Sequence, residues 1–326
     1  MKYATIGTSW ITQSYINAAN FTGLWQHDAV YSRNEDTAKI FAEKNNVQKY
    51  YTDLKKLAAD EQIQAIYIAS PNALHYNQSK QMLLAGKHVI CEKPATVTTE
   101  EYIELKALAD NMGLIYTEAI MSMHVPALNI LKKNIKNIGR ISSAHFDFCQ
   151  LSSKYPGLLN GTVPNIFNPE LRTGALMDLG VYNLYLIAEL FGTPLTVISD
   201  SSFLHTNADH TTSAIFKYDN FQLSFTCSKI GQGFSQSEII GDLGTIGIDS
   251  ISQLTGITLR KAKQKETEIL IPFEEDRIEI MSHEAKFFYD CIVSNANKER
   301  YEHFHDTAIK VRSLCDLIRK QNNFPF

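Results

Sequence analysis

The sequence is poor in the features that mark several protein classes. Cysteine is sparse: Cys91, Cys149, Cys227, Cys291 and Cys315 are scattered through 326 residues, odd in number and without a C-x-x-C pair. That excludes a disulfide framework and argues against a zinc site. His205, His210, His283, His303 and His305 share no ligand-like spacing, and no metal is expected. Positive charge is not in excess, with 31 Lys and Arg against 35 Asp and Glu and a net charge of -4. A nucleic-acid partner, which asks for a basic face, is therefore not expected. No run approaches the roughly 18 apolar residues of a membrane helix. "MKYATIG" enters a strand directly, without a signal-peptide pattern, and no repeat or low-complexity tract follows. Together these absences describe a reduced, cytoplasmic protein that binds neither membrane nor nucleic acid.

What is present is a globular composition, 44% hydrophobic and 20% charged, long enough for two domains. Over the first 122 residues short apolar runs ("YATIG", "DAVYS", "QAIYIAS", "HVICEKP", "LIYTEAI") alternate with longer amphipathic ones. The runs are apolar almost throughout rather than alternating, as in strands buried on both faces of a parallel sheet. The βαβ repetition predicts a Rossmann-type, doubly wound α/β domain over 1-122. The pattern then changes. "RISSAHFDFCQ", "PLTVISDSSFL", "TSAIFKYD", "FQLSFTCSK", "SQSEIIGD", "GTIGIDS" and "GITLRKAK" read as strands separated by turns. With the apolar helix "GALMDLGVYNLYLIAELFG" they predict an α+β domain over 123-303 with a large, mainly antiparallel open sheet. In "FQLSFTC", Phe221, Leu223, Phe225 and Cys227 take one side, to be covered by helices. Gln222, Ser224, Thr226 and Ser228 take the other, a small polar face suited to pairing with a second copy.

Glycine is scarce where a dinucleotide-binding turn would use it. The motif is G-x-G-x-x-G; "ATIGTSWITQSYINAA" keeps Gly7 but has Ser9 and Thr12 in place of the other two. Ser9 is small and can donate to a phosphate, and Thr12 is short enough for a helix–sheet contact. On the residues alone, a cofactor turn and a plain strand–turn–helix both remain open. The second strand ends in "VYSRN". A carboxylate there would hold the ribose hydroxyl of NAD. Ser32 and Arg33 instead suit the 2′-phosphate of NADP, unless Arg33 is simply a solvated surface cation.

Four segments carry a resemblance. "VICEKPATVTTEEYIELKALAD", "IASPNALHYNQSKQMLLAGKHV", "NPELRTGALMDLGVYNL" and the closing "VRSLCDLIRKQNNFPF" stand in the order and spacing of the Gfo/Idh/MocA oxidoreductases. They are similar to that family's E-K-P, T-P-N-x-x-H and G-G-x-L-x-D-x-G motifs and to its last helix. Many members carry His four residues after the Asp. Here the position is Tyr182, which, with "SR" and "GTSWI", resembles the NADP-linked branch of glucose–fructose oxidoreductase and dimeric dihydrodiol dehydrogenase. The stretch "MSMHVP" departs from that branch, which tends to place an Arg before the Pro.

The resemblance implies an NAD(P)-dependent oxidoreductase, with NADP(H) favoured and NAD possible, that moves a hydride to or from a sugar, diol or related carbonyl compound. It implies cofactor contacts from Gly7, Thr8, Ser9, Trp10, Ile11, Ser32, Arg33, Ser70, Pro71, Asn72, His75, Glu92 and Lys93. Lys93, Asp178 and Tyr182 are implied as catalytic, a cis peptide bond is implied between Lys93 and Pro94, and a homodimer through the C-terminal sheet. The last helix, 304-322, is expected to pack near the cofactor domain. Taken without the family, Tyr182 reads as a core aromatic and Asp178 as a cap. The alternative to an enzyme is a non-enzymatic NAD(P)-binding sensor or transcriptional co-regulator on the same fold.

Overall fold

The computed structural model describes residues 1–273 and 276–326. The chain divides into two units, Met1–Met121 with Asp276–His305, and Ser122–Glu275 with Asp306–Phe326. This division groups 276–305 with the first unit and divides the last helix between the two.

The first unit alternates β1 (Lys2–Ile6), α1 (Trp10–Thr22), β2 (Gln26–Tyr31), α2 (Glu35–Lys44), β3 (Lys49–Tyr51), α3 (Leu54–Ala58), β4 (Ala65–Ile68), α4 (Asn72–Leu84), β5 (His88–Glu92), α5 (Thr99–Met112) and β6 (Tyr116–Ala119). Its six strands run in parallel in the order β3-β2-β1-β4-β5-β6. That is the doubly wound sheet the apolar runs predict; Ala4, Ile6, Ile66, Ile68, Val89 and Ile90 are buried along it. Helix starts follow local chemistry. Asn34 and Asp53 accept backbone N–H groups at the starts of α2 and α3, and Thr98 and Glu101 form a capping box at α5. Such caps contribute about 1 kcal/mol each.

The second unit contains α6 (Pro126–Ile135), β7 (Ile141–Cys149), α7 (Tyr155–Leu159), α8 (Val181–Phe191) and strands β8 (Thr196–Phe203), β9 (Asp209–Lys217), β10 (Gln222–Ser228), β11 (Ser237–Gly241), β12 (Gly244–Ser250), β13 (Thr255–Lys261) and β14 (Thr267–Ile271). The sheet order is β14-β13-β12-β11-β7-β10-β9-β8. One parallel pair, β7 with β10, interrupts an otherwise antiparallel sheet. β14 is a strand that the turn pattern does not announce. Helix α9 (Arg277–Val293) belongs to the first unit, where Trp25 Nε1 donates to Ala285 O at 3.0 Å. Helix α10 (Lys298–Gln321) is divided between the units at His305 and Asp306.

The eight-stranded sheet has two unlike faces. Phe146, Ala214, Phe216, Leu223, Phe225, Ile239, Ile246 and Ile257 are buried on one, which meets α8 and the turn before it at β7, β9 and β10, and α6 and the turn after it at β12 and β13. Across the other runs a register row, Ile198, Ile215, Ser224, His145, Glu238, Gly247, Thr258 and Ile269. Its three isoleucines are 48–70% exposed, and His145 Nδ1 lies 3.0 Å from Ser224 Oγ.

The stretch Pro169–Phe191 is long and apolar enough, by length and composition, to cross a membrane. Short polar residues inside it (Thr173, Asp178, Asn183) hide this from a search for uninterrupted apolar runs. The window is 78% buried within the protein, the condition of a core helix.

Candidate active site

Parallel strands deliver all their following loops to one edge of a sheet, and that carboxyl edge is where α/β folds bind ligands. The loops after β1, β2, β4 and β5 therefore bring Gly7–Ile11, Ser32–Arg33, Ser70–Asn72 and Lys93 to the same edge of the first unit.

The β1 turn is built for close approach. Gly7 has φ 115°, and its N–H donates to Tyr31 O at 3.1 Å. A Cβ there would stand 2.6 Å from the backbone oxygen of Ala69, on the neighbouring loop. Only glycine meets both conditions. Thr12 is fully buried, with its hydroxyl 3.3 Å from Ser9 Oγ, so a threonine fills the helix–sheet contact of the third motif glycine. Ser9 begins α1 with extended backbone and without capping it by its side chain, and the first turn of α1 contains no acidic residue. These features fit a bound pyrophosphate at the helix start. Thr8 and Ile11 are half-buried, and Trp10 is exposed, with the Arg277 guanidinium 5.0 Å from its ring centre. At the end of β2, Ser32 Oγ accepts from Asn34 N at 3.4 Å, and Arg33 is exposed.

The remaining loops are clamped from below. His75 is fully buried; its Nδ1 lies 2.8 Å from Pro94 O and its Nε2 2.7 Å from Ser70 O. The imidazole thus ties the β4 loop to the β5 loop. Burial lowers its pKa, against the pull of the two carbonyls. Ser70 Oγ donates to Gln78 Oε1 at 2.6 Å. Pro71 and Asn72 start α4. The Lys93–Pro94 peptide bond is cis, and Ala95 N–H donates to the buried Glu118 at 3.2 Å. Glu92 is buried and accepts from Tyr67 Oη at 2.6 Å. Its pKa is raised by burial, against the neighbouring Lys93. Lys93 itself is half-buried. His75 and Glu92 thus spend their polar atoms on the scaffold of the edge. Glu118 and Gln78 do the same, and no short motif points to either of them.

Asp178 and Tyr182 belong to the second unit. Residues Leu176–Gly180 form a π-helical turn that runs straight into α8, an irregularity frequent at functional sites. Tyr182, in the first turn of α8, is 6% exposed and meets the Phe148 ring edge-on at 5.8 Å. Asp178 is half-buried, and Lys229 Nζ donates to its Oδ2 at 2.5 Å. The turn is anchored by Asp209, whose Oδ2 accepts from Leu176 N at 2.7 Å and from Thr212 Oγ1 at 3.2 Å. A Cβ on Gly174, at φ 136°, would strike that same carboxylate. Burial raises the Asp209 pKa to about 7, against these hydrogen bonds. Arg172 enters the turn in the left-handed conformation at φ 55°. Among the described residues, no group of three or more His, Cys, Asp or Glu could hold a metal ion.

The sequence matches the family model described as oxidoreductase family, NAD-binding Rossmann fold, over residues 1–120, and the family's C-terminal domain over 134–247. The chain belongs to the Gfo/Idh/MocA oxidoreductase family. It is accordingly an oxidoreductase with a nicotinamide-dinucleotide domain at its N-terminal end. Scyllo-inositol 2-dehydrogenase (NADP(+)) of Bacillus subtilis is 36% identical over 98% of this chain and 97% of its own. A trans-1,2-dihydrobenzene-1,2-diol dehydrogenase of Xenopus laevis is 28% identical over 98% and 97%. A 3-ketoreductase of Actinomadura kijaniata, solved with TDP-benzene and NADP in an open conformation, shares the fold at a TM-score of 0.83 and 20% identity, covering 99% and 98%.

Proposed function

We propose that this family member is an NADP(H)-dependent dehydrogenase or reductase of polyhydroxylated small molecules, with a cyclic polyol or its ketone as the first substrate to try. The observation that carries the cofactor choice is Ser32–Arg33 at the end of β2, an exposed cation and a hydroxyl where NAD selection asks for a carboxylate. The 36% identity to an NADP-dependent inositol dehydrogenase over nearly the whole chain supports the substrate class.

The loops after β1, β2 and β4 would hold the dinucleotide: the α1 start its pyrophosphate, Ser32 and Arg33 its 2′-phosphate. The nicotinamide, when bound, supplies or accepts the hydride, leaving one proton and the geometry to the protein. Tyr182 gives its phenolic proton to the carbonyl oxygen in the reductive direction and recovers it in the oxidative one. A phenol near pKa 10 is a poor exchanger at neutrality, and an ammonium lowers that barrier by favouring the phenolate. The family pattern implies Lys93 as the source of that ammonium. Asp178 accepts from a further substrate hydroxyl, which makes the enzyme prefer polyols to simple alcohols.

Assay of inositols, sugars and diols with NADP+ and NAD+, and of their ketones with NADPH and NADH, tests this directly. Turnover of at least one polyol with a clear NADP preference is expected. A clear NAD preference removes the Ser32–Arg33 assignment, and activity confined to non-hydroxylated carbonyls removes the polyol.

We further propose that the enzyme works in the cytoplasm as a homodimer through the open face of the eight-stranded sheet. Five free thiols support the compartment. The exposed isoleucine row set among small polar residues supports the interface. Light scattering that finds only monomer at working concentration would remove the dimer.

A further inference from the structure

Asp178 meets a second charged residue inside its own unit. Lys229 Nζ lies 2.5 Å from Asp178 Oδ2. The lysine side chain is 9% exposed and the aspartate 26%, so the ammonium is the more buried partner of the two. Both ends of the pair are fixed by backbone. Lys229 N–H donates to His210 O at 2.8 Å, and its carbonyl accepts from Ser152 N at 2.9 Å. Asp178 N–H donates to Gly174 O at 3.1 Å. The turn that carries it packs Gly180 onto Cys227 and Phe225 of β10, the strand that leads into Lys229.

We propose that Lys229 is a positioning residue for substrate recognition: it keeps the Asp178 carboxylate ionised and held in place as the acceptor for hydroxyl groups of a polyol. The role rests on the polyol reading above. A largely buried carboxylate is costly without a partner, and a nearby ammonium both offsets that cost and favours the charged form. An ionised acceptor makes shorter hydrogen bonds, about twice as strong as neutral ones. Lys229 touches Asp178 and acts through it, which separates its role from that of Lys93.

The test is calorimetric titration of scyllo-inositol into NADPH-saturated protein, a dead-end complex without turnover. It is run for the parent, Lys229→Met, Lys229→Arg, Asp178→Asn and the Lys229→Met/Asp178→Asn double variant. Losing one partner of a buried charge pair is expected to weaken polyol binding about 10-fold or more. Lys229→Arg is expected to recover most of that loss, and the double variant to bind as Asp178→Asn does. Parent-like binding by Lys229→Met, or the same fold loss in both backgrounds, overturns the assignment. A parent that takes up NADPH but no polyol overturns the polyol reading instead. The Lys229 assignment is then judged on the ¹³C titration of the Asp178 carboxylate in the NADPH complex. Lys229→Met is expected to raise its midpoint, and an unchanged midpoint overturns it.

Discussion

The carboxyl edge of the parallel sheet and the Asp178 turn solve the same problem, holding reactive groups still, by different means. At the edge the groups arrive on contiguous segments, Gly7–Ile11, Ser70–His75 and Glu92–Lys93, and the clamps join loops that follow strands of the same parallel sheet. One buried imidazole joins two neighbouring loops, and one buried carboxylate holds the next N–H. In the turn the side-chain anchors come from far along the chain, Asp209 from 33 residues away and Lys229 from 51. The first region is set by what each short segment must do locally. The second is set by which strand the turn lies on. A local motif therefore changes by direct collision, whereas a long-range anchor changes by losing its partner.

The largest expected effect falls on chemistry and tests whether the second region is a site at all. Tyr182→Phe keeps the ring against Phe148 and removes only the hydroxyl. A positioned acid or base contributes about 10²–10⁴-fold, so kcat should fall by that range while NADPH binding stays within about 2-fold. Lys93→Met should fall comparably. A Tyr182→Phe enzyme with near-parental kcat would assign proton transfer to another group and make Tyr182 a core aromatic after all. Steady-state kinetics with fluorescence titration of NADPH decides between the two.

Gly7→Ala should act next most strongly, and on the first region alone. The added methyl meets the Ala69 carbonyl, and φ 115° is strained for any residue with a Cβ. Strain of that kind costs about 1–3 kcal/mol, and relief requires the turn to move away from the Ala69 loop. NADPH affinity should fall at least about 10-fold, together with a lower Tm. An alanine variant that binds NADPH normally would break the comparison, because the turn would then not need its glycine.

The legible parts of the molecule follow the same division. Strands β1, β4 and β5 are apolar almost throughout because both faces are covered, so the parallel sheet is written in each run separately. Leu223, Phe225 and Cys227 announce the buried face of β10 by strict alternation. Lys93, Asp178 and Tyr182 stand out because a family pattern singles them out, and without it Asp178 reads as a cap and Tyr182 as a core aromatic. Lys229 and Asp209 stand out in no window of sequence. "FTCSKIGQG" reads as a strand end with one lysine, and "NADHTT" as a turn. Their roles exist only once β9 and β10 pair and the 176–180 turn lies across them. The π-helical turn is equally silent, since its residues differ little from those of the helix it enters.

Asp209 offers the smallest effect and the sharpest view of a long-range anchor. Burial raises its pKa to about 7 in the folded protein, from the ordinary 3.8. Below about pH 4 folded and unfolded chains both carry the proton. Between about 4 and 7 the unfolded chain releases it and the folded chain retains it. The folded state then binds more protons, so this group's contribution to stability falls as pH rises through that window and levels off above it. The full slope is about 1.4 kcal/mol per pH unit, and relaxation of the site should leave roughly 1–2 kcal/mol across the window. Asp209→Asn has the same shape and no proton to lose. It carries a constant penalty for a weaker acceptor at Leu176 N and none of the pH dependence. The difference in unfolding temperature, variant minus parent, should therefore grow more positive from pH 4.5 to pH 7 and then stay flat. Calorimetric scans at four pH values measure it. Parallel curves would mean that Asp209 is ionised throughout, and that the turn carrying Asp178 is held by a charge rather than by a proton-bearing carboxyl.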